Sequence, residues 1–241
     1  MERDILGRIK SYWEQRSDDF GRQSFVEMQN EKFVLWSAEL KRIIGDKAAL
    51  KILDVGTGSG YMALLLASAG HQVTGIDLCD SMIESAKDLR AKLGLDAEFL
   101  VGNAQQLPFV DNSFDLLITR NLTWTLPDLE QAYSEWHRVL KPKGILINFD
   151  ADFGEKDFAV PAKNNLSKHG LHGDLDDTQI KECNAIKNSL AISTHRRPLW
   201  DAELLIKTGF HKVTLDLALG LRINKLQKQK RQGMFGIYAY K

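Results

Sequence analysis

The sequence predicts an α/β fold with a doubly wound, mostly parallel sheet of seven strands whose last strand is antiparallel. Short, almost continuously apolar segments alternate with longer helical patterns along the 241 residues. This alternation is typical of parallel strands that helices cover on both faces. Three glycines, Gly56, Gly58 and Gly60, follow the first apolar segment and precede a helical pattern. Ligands of such sheets bind at the carboxyl ends of the strands, so this loop is a candidate site.

Helices are predicted in the first 45 residues, because "RDILGRIKSYW" and "NEKFVLWSAELKRII" place apolar residues at three- and four-residue spacings. The next segments predict strands at 50–55, 72–77, 97–102, 114–120 and 145–150, and helices at 61–70, 80–94 and 128–140. "KPKG" at 141–144 predicts a turn. Beyond residue 199, the pattern predicts a helix at 201–209 and strands at 211–219 and 234–240. No strong helix separates these two strands, which favours an antiparallel pair at the sheet edge.

Residues 151–199 interrupt the alternation, because they are mostly polar and contain no clear strand. Since they leave the carboxyl edge of the sheet, we expect them to form a cap over the site. The whole chain is predicted to be one domain, 1–241. Its expected parts are an N-terminal helical lid (1–45), a cofactor-binding core (46–150), the cap insert (151–199) and the rest of the sheet (200–241).

The charge balance favours neither nucleic acid nor an anionic membrane as a partner, because 32 basic and 32 acidic residues cancel. The two cysteines form no disulfide framework, and no apolar segment approaches the length of a membrane span. These features predict a cytoplasmic protein, and they leave the oligomeric state open. A basic cluster near the C-terminus favours a solvated loop over a phosphate site; it comprises Lys225, Lys228, Lys230 and Arg231.

The glycine spacing differs from that of dinucleotide sites, which prefer G-x-G-x-x-G. Here the pattern is Asp54-x-Gly56-x-Gly58-x-Gly60. The carboxylate of Asp54 would repel a pyrophosphate but can help to hold an ammonium group. Asp77 ends the second strand, where a carboxylate can accept hydrogen bonds from both hydroxyls of a ribose. The plainer alternatives are a tight turn at the glycines and a helix cap at Asp77.

The third strand is followed by Asn103, Ala104 and Gln105, which are candidates to bind the edge of an adenine. Met82 is a candidate to pack on the purine face. A turn role for Asn103 and a core role for Met82 remain open. A ribose, an adenine and an amino-acid ammonium without phosphate together describe S-adenosylmethionine.

Four stretches carry a family resemblance: "LDVGTGSG", "GIDLCDSMIESAK", "GNAQQLPFVDNSFDLLITR" and "LPDLEQAYSEWHRVLKPKGILI". They resemble, in order and spacing, motifs of the class I S-adenosylmethionine-dependent methyltransferases, in the small-molecule branch with a type 11-like domain. The likeness is close over residues 50–150. It implies a Rossmann-like fold, S-adenosyl-L-methionine as cofactor, and in-line methyl transfer to a small-molecule acceptor. It also implies further cofactor contacts at Thr57, Leu78 and Arg120, and from an N-terminal segment with Tyr12 and Trp13.

The acceptor is expected above the fourth and fifth strands. Asn121 and Trp124 resemble an Asn-Pro-Pro-aromatic motif of amino methyltransferases, but Leu122 and Thr123 replace its prolines. Three other candidates for the acceptor pocket are Asp150, Asp152 and His195; the two aspartates can equally end the strand in solvent. Because the donor is already activated, the family has no universal catalytic residue, and none is assigned. No metal is expected. The alternatives are a non-catalytic donor-binding module and, against the glycine spacing, a nucleotide-dependent oxidoreductase.

Overall fold

The computed structural model describes residues 2–47, 49–154, 156–159, 176–225 and 233–241. Part of the expected cap insert therefore lies outside the described residues, as do Lys228, Lys230 and Arg231 of the basic cluster. Within the described ranges, no helix combines the length and apolar character that a bilayer span requires.

The predicted alternation of strands and helices is confirmed. The strands are β1 (Lys51–Val55), β2 (Gln72–Asp77), β3 (Glu98–Val101), β4 (Phe114–Arg120), β5 (Leu140–Ala151), β6 (Lys212–Asp216) and β7 (Met234–Tyr240). The helices are α1 (Glu2–Glu14), α2 (Ser17–Glu27), α3 (Glu31–Ile44), α4 (Tyr61–Ser68), α5 (Asp80–Leu93), α6 (Leu129–Val139), α7 (Asp177–Ser189), α8 (Leu199–Lys207) and α9 (Leu219–Asn224).

The seven strands form one sheet in the order β3-β2-β1-β4-β5-β7-β6. The pairs from β3 to β5 are all parallel, and β7 runs antiparallel to both of its neighbours. The predicted fold class, including the antiparallel last strand, is therefore confirmed. Because β1 lies centrally, its apolar side chains Ile52, Leu53 and Val55 are completely buried.

Each face of the sheet carries its own hydrophobic core. On one face, Ile9 of α1, Trp136 of α6 and Leu205 of α8 belong to a common cluster. On the other face, Trp36 of α3 and Leu64 of α4 belong to a second cluster, together with residues of α5 and α9. Helices on both faces explain why the strands read as continuous apolar segments in the sequence.

One local prediction is wrong, and one short helix was not predicted. Residues 141–144 do not form a separate turn, because β5 begins at Leu140 and includes them. The register of β4 against β5 shifts between Phe114 and Leu116, and Lys143 has a positive φ of 67°, so a bulge replaces the turn. The segment between β6 and β7 also contains the short helix α9, which the sequence pattern did not indicate.

The expected cap insert contributes to the core. Its helix α7 starts with a capping box, in which Asp176 accepts from the amide of Gln179 and the Gln179 side chain accepts in return. Cys183 and Ile186 of this helix are buried in the same cluster as α1 and α6. The insert is thus partly an apolar structural element, although its composition is mostly polar.

Candidate functional site

A cavity of about 470 Å³ opens at the carboxyl edge of the sheet, and α1 and α2 border it. Thirteen of the residues predicted for the cofactor or acceptor line it: Trp13, Asp54, Gly56, Thr57, Gly58, Asp77, Leu78, Met82, Asn103, Ala104, Arg120, Asn121 and Trp124. The parallel topology explains this convergence, because the ends of β1, β2 and β4 meet at one edge.

The three glycines of the loop all have positive φ, yet the space around them differs. A Cβ on Gly56 would lie 2.7 Å from the side chain of Leu122, and one on Gly60 would lie 3.0 Å from Ala86 and Phe99. A Cβ on Gly58 would meet no atom within 4 Å. Gly56 and Gly60 are therefore required by packing, whereas Gly58 exposes bare backbone at the cavity wall, which a ligand can approach.

Asp54 is almost completely buried and is held by the loop itself. Its Oδ2 accepts from Thr57 Oγ1 at 2.6 Å and from the amide of Ala63 at 3.1 Å. Burial raises the pKa of Asp54 to about 6, against the opposing effects of the Thr57 hydrogen bond and the charge of Arg120. The carboxylate thus ties the loop to the first turn of α4.

Asp77 connects the glycine loop to the start of α5. One carboxylate oxygen accepts from the amide of Gly58 at 2.8 Å, and the other accepts from the amide of Cys79 at 3.0 Å. Burial raises the pKa of Asp77, while these two amide hydrogen bonds favour the ionised form. An ionised carboxylate has about four lone-pair sites, and Asp77 lines the cavity. Two adjacent acceptors in the wall suit a vicinal diol.

The residues after β3 form a tight turn beside the cavity. Asn103 Oδ1 accepts from the amide of Gln105 at 2.9 Å, and the carbonyl of Ala104 accepts from the indole of Trp136 at 2.9 Å. The side chain of Gln105 points elsewhere, because its Oε1 accepts from the amide of Asp128 at 2.7 Å. Gln105 lies outside the lining of the cavity.

Arg120 lies over two aromatic rings at the end of β4. Its guanidinium carbon is 4.7 Å from the ring centroid of Tyr61 and 5.5 Å from that of Trp36, and Glu27 lies 3.5 Å away. Tyr61 lines the cavity, and its buried hydroxyl has no hydrogen-bond partner within the described part of the chain. Sequence reasoning missed Tyr61, although a tyrosine directly after Gly60 was the available signal.

Aromatic side chains from distant segments meet at the other end of the cavity. We call Trp13, Phe20, Trp124, Phe153 and Phe158 the aromatic wall; the first four line the cavity, and Phe158 packs on Trp124 outside the lining. Trp13 makes edge contacts with Phe20 and Trp124, at centroid distances of 5.7 and 6.0 Å. Trp124 also packs against Phe153 at 4.9 Å and Phe158 at 5.7 Å. The wall therefore joins the N-terminal helices to the segment that follows β5.

Asn121 sets the direction of the chain between β4 and the aromatic wall. It has a left-handed φ of 57°, its amide donates to the carbonyl of Phe149 at 2.8 Å, and its own carbonyl accepts from Trp124 Nε1 at 3.0 Å. Asparagine tolerates this conformation better than most residues do. The turn leads into a short 3-10 helix, Thr123–Thr125, which presents Trp124 to the cavity.

Asp150 belongs to a buried ionic network rather than to the cavity lining. It accepts from Thr123 Oγ1, from the amide of Trp124 at 3.0 Å and from Arg197 Nη1 at 3.0 Å. Arg197 also donates to both oxygens of Asp201, at 2.6 and 2.9 Å. Burial raises the pKa of Asp150, and the charge of Arg197 opposes that rise. The network anchors the 3-10 helix that carries Trp124.

Four other predicted site residues also lie outside the cavity lining. Asp152 accepts from the amides of Gly154 and Arg197, and so fixes its own loop. His195 is exposed and stacks on Trp200 at 4.1 Å. Tyr12 is buried in the core beside Trp13, and Gly60 packs against α5. No cluster of possible metal ligands occurs among the described residues.

Comparison with known proteins identifies the family. Residues 53–148 match the family described as "Methyltransferase domain". Over this segment the match confirms the resemblance to the class I S-adenosylmethionine-dependent methyltransferases. The matched segment runs from β1 into β5 and contains the glycine loop, Asp77 and Asn103.

Two curated proteins are similar to this chain. It is 38% identical over 174 residues to 24-methylenesterol C-methyltransferase 2 of Arabidopsis thaliana, over 71% of this chain and 44% of the relative. It is 33% identical over 120 residues to demethylmenaquinone methyltransferase of Staphylococcus aureus, over 48% of this chain and 49% of the relative. The chain thus spans about half the length of the curated relatives it matches.

Solved structures share the fold. Phosphoethanolamine N-methyltransferase 2 of Haemonchus contortus, in complex with S-adenosyl-L-methionine, superposes with a TM-score of 0.61 at 22% identity, over 85% of this chain and 51% of that one. A methyltransferase of Aquifex aeolicus superposes with a TM-score of 0.59 at 20% identity, over 90% and 97% of the two chains.

Proposed function

We propose that the chain transfers a methyl group from S-adenosylmethionine to a small-molecule acceptor. The observation that carries this proposal is the shared cavity of Asp77 and the glycine loop, with bare backbone at Gly58 and both carboxylate oxygens of Asp77 beside it. A phosphate-bearing cofactor fits less well, because Asp54 and Asp77 place two carboxyl groups beside the loop.

Three features of the cavity lining fit the parts of the donor. The carboxylate of Asp77 would accept from both ribose hydroxyls. Asn103 and Ala104 would border the adenine. The buried, unpartnered hydroxyl of Tyr61, together with Arg120, would receive the carboxylate of the methionine portion. A ligand with an anionic end fits better than one without, because the anion can accept a hydrogen bond from the Tyr61 hydroxyl.

A bound S-adenosylmethionine supplies an electrophilic methyl group on a sulfonium, which a nucleophile displaces in line. The residues of the chain align the two reactants and exclude water. Such alignment can supply roughly 7–11 kcal/mol of the barrier reduction. Trp13 suits the approach of a sulfonium, because ring faces attract cations. Asn121 and Trp124 would border the acceptor, and no residue is assigned as a base.

The N-terminal helices and the insert would together cover the cavity. Arg8 of α1 forms a bidentate ion pair with Glu182 of α7: its Nε and Nη2 donate to the two carboxylate oxygens at 2.9 and 3.0 Å. Ser24 of α2 contacts Ser59 of the glycine loop at 2.7 Å. The names of the two relatives specify a methylenesterol and a demethylmenaquinone, which supports a small-molecule acceptor. The cytoplasmic location stays a prediction from the sequence.

Calorimetry with S-adenosylmethionine and S-adenosylhomocysteine tests the donor site, and we expect micromolar dissociation constants. Incubation of a metabolite extract with methyl-labelled donor, followed by mass spectrometry, then identifies the labelled product. Failure of both compounds to bind at millimolar concentration would contradict the donor assignment. Donor binding without turnover on any extract would instead support a non-catalytic binding module.

A further inference from the structure

Four charged residues line the cavity within the described part of the chain: Asp54, Asp77, Arg120 and Lys156. The first three are engaged: Asp54 with Thr57 and Ala63, Asp77 with two backbone amides, and Arg120 with Glu27. Lys156 differs from them. Among the described residues, its ammonium has no hydrogen-bond acceptor and no ion-pair partner, and its contacts are with aromatic rings.

Lys156 stands at the aromatic wall. Its Nζ lies 5.2 Å from the ring centroid of Phe153 and 4.7 Å from that of Phe158, and both rings pack on Trp124. Ring faces offset part of the cost of removing an ammonium from water, but an anion offsets more. Burial lowers the pKa of Lys156, as expected where no carboxylate stabilises the charge.

The backbone of this lysine is fixed by a second, buried lysine. Lys187 of α7 donates to the carbonyl of Lys156 at 2.6 Å and to that of Gly154 at 3.0 Å. The amide of Lys156 donates to the carbonyl of Phe153 at 3.0 Å, which closes a turn. Lys156 is therefore held at the cavity by the fold, unlike a lysine on a solvated loop.

Much of the remaining cavity lining is apolar. Leu6 and Ile9 of α1, Leu126 after the 3-10 helix, and Met234 at the start of β7 belong to it. A site of this kind, with a few placed polar groups in an apolar wall, orients its ligand through those groups. A cationic acceptor would meet the like charge of Lys156, whereas an anionic one would neutralise it.

We propose that Lys156 determines acceptor specificity by binding one anionic oxygen group, a carboxylate or a phenolate, of an acceptor whose apolar body lies against the aromatic wall. This inference rests on the proposed function, because it assigns the acceptor end of the same cavity. The proposal specifies the charge and the polarity of the acceptor. It does not specify which acceptor atom is methylated.

The test uses the full chain saturated with S-adenosylhomocysteine and two matched probes, naphthalene-2-carboxylate and naphthalene-2-carboxamide. Calorimetry should show that the wild-type protein binds the carboxylate about ten- to a hundredfold more tightly, as hydrogen bonds to charged groups suggest. Lys156→Met should abolish this preference, and Lys156→Arg should retain most of it. Lys212→Met is the matched control, because Lys212 lies 5.0 Å over the ring of Tyr240 and outside the cavity lining.

The outcomes separate this proposal from the assignment of the donor. If the wild-type protein fails to bind S-adenosylhomocysteine, the proposed function is wrong and the basis of this inference is lost with it. If it binds S-adenosylhomocysteine but neither probe, or both probes equally, the role of Lys156 is wrong while the donor site stands. An undiminished preference for the carboxylate in Lys156→Met overturns the role as well. Unchanged affinity of that variant for S-adenosylhomocysteine excludes a general loss of folding.

Discussion

The two ends of the cavity are built in different ways. The donor end, which comprises the glycine loop, Asp77 and Asn103, is shaped by backbone conformation and by hydrogen bonds to backbone amides. The acceptor end, which comprises the aromatic wall and Lys156, is assembled from side chains of segments that are far apart in the chain. Local sequence is therefore sufficient to specify the first, whereas the second depends on the tertiary fold.

The acceptor end also depends on charged side chains that do not line the cavity. The 3-10 helix with Trp124 is attached to Asp150, which is paired with Arg197, 47 positions further along the chain. This network contains two carboxylates and one guanidinium, all buried. At the donor end, Arg120 pairs with Glu27, but both side chains are less buried than those of Arg197 and Asp150, so substitutions should affect the two ends separately.

The largest effect is expected from Arg197→Met. Removing the guanidinium leaves Asp150 and Asp201 buried without their cation, and loss of one partner of a buried pair costs about 3–5 kcal/mol. Urea denaturation followed by tryptophan fluorescence should show a loss of this size in the free energy of unfolding. The donor affinity of the folded fraction should stay within about twofold.

Arg222→Met is the control for that experiment. Arg222 pairs with Glu39 and Asp216, but its side chain is 36% exposed and Arg42 contacts the same two carboxylates. We expect a loss of about 1 kcal/mol or less, because partly exposed pairs contribute little. Equal losses in the two variants would contradict a special role of the buried network.

The next largest effect is expected from Asp77→Ala at the donor end. Hydrogen bonds to a charged group contribute about 1.5–3 kcal/mol. Water partly replaces the lost hydrogen bonds, so calorimetry with S-adenosylhomocysteine should show an affinity ten- to a hundredfold lower. Asp80→Ala removes an exposed carboxylate from the same segment and should leave the affinity unchanged. If the folded Asp77 variant binds normally, Asp77 only organises the loop and the start of α5.

A smaller effect is expected from Gly58→Ala, for which Gly94→Ala is the control variant. Both glycines have positive φ, 53° and 63°, and a Cβ would meet no atom within 4 Å at either position. Each variant should lose about 1–2 kcal/mol of stability from the left-handed conformation. Only the Gly58 variant should also lose donor affinity, about tenfold, because its methyl group enters the cavity. Similar donor affinities in the two variants would show that no ligand approaches Gly58.

The smallest effect is expected from Phe153→Leu in the aromatic wall. The ring contacts Trp124, and an aromatic pair contributes about 0.5–1.5 kcal/mol beyond its area. The KM for the acceptor should rise about two- to tenfold, with donor affinity unchanged. Phe109→Leu is the control, because it removes the edge contact with Phe114, at 5.0 Å, outside the cavity lining. An altered donor affinity in Phe153→Leu would contradict the separation of the two ends.

The difference between the donor end and the acceptor end also explains which features could be predicted from the sequence. Strand periodicity and the glycine spacing are local signals, so the sheet and the donor end could be predicted before the structure. Phe153 and Lys156 lie in a polar stretch without periodicity, and only the packing of α1, α7 and the 3-10 helix brings them to the cavity. The role of Asp150 was equally hidden, because its partner Arg197 belongs to a distant segment. Helix α7 had a local signal, the Asp-x-x-Gln capping box from Asp176 to Gln179, which the polar composition obscured.

The reversed direction of β7 has a consequence for how acceptor choice can diversify within this architecture. The parallel strands reach the cavity with their last residues, but β7 reaches it with its first, Met234, which pairs with Ala151 at the end of β5. Gly233 and Met234 line the cavity, as does Asn224 at the end of α9. The end of α9 and the start of β7 can therefore contribute to acceptor choice, while the ends of the parallel strands keep the donor in place.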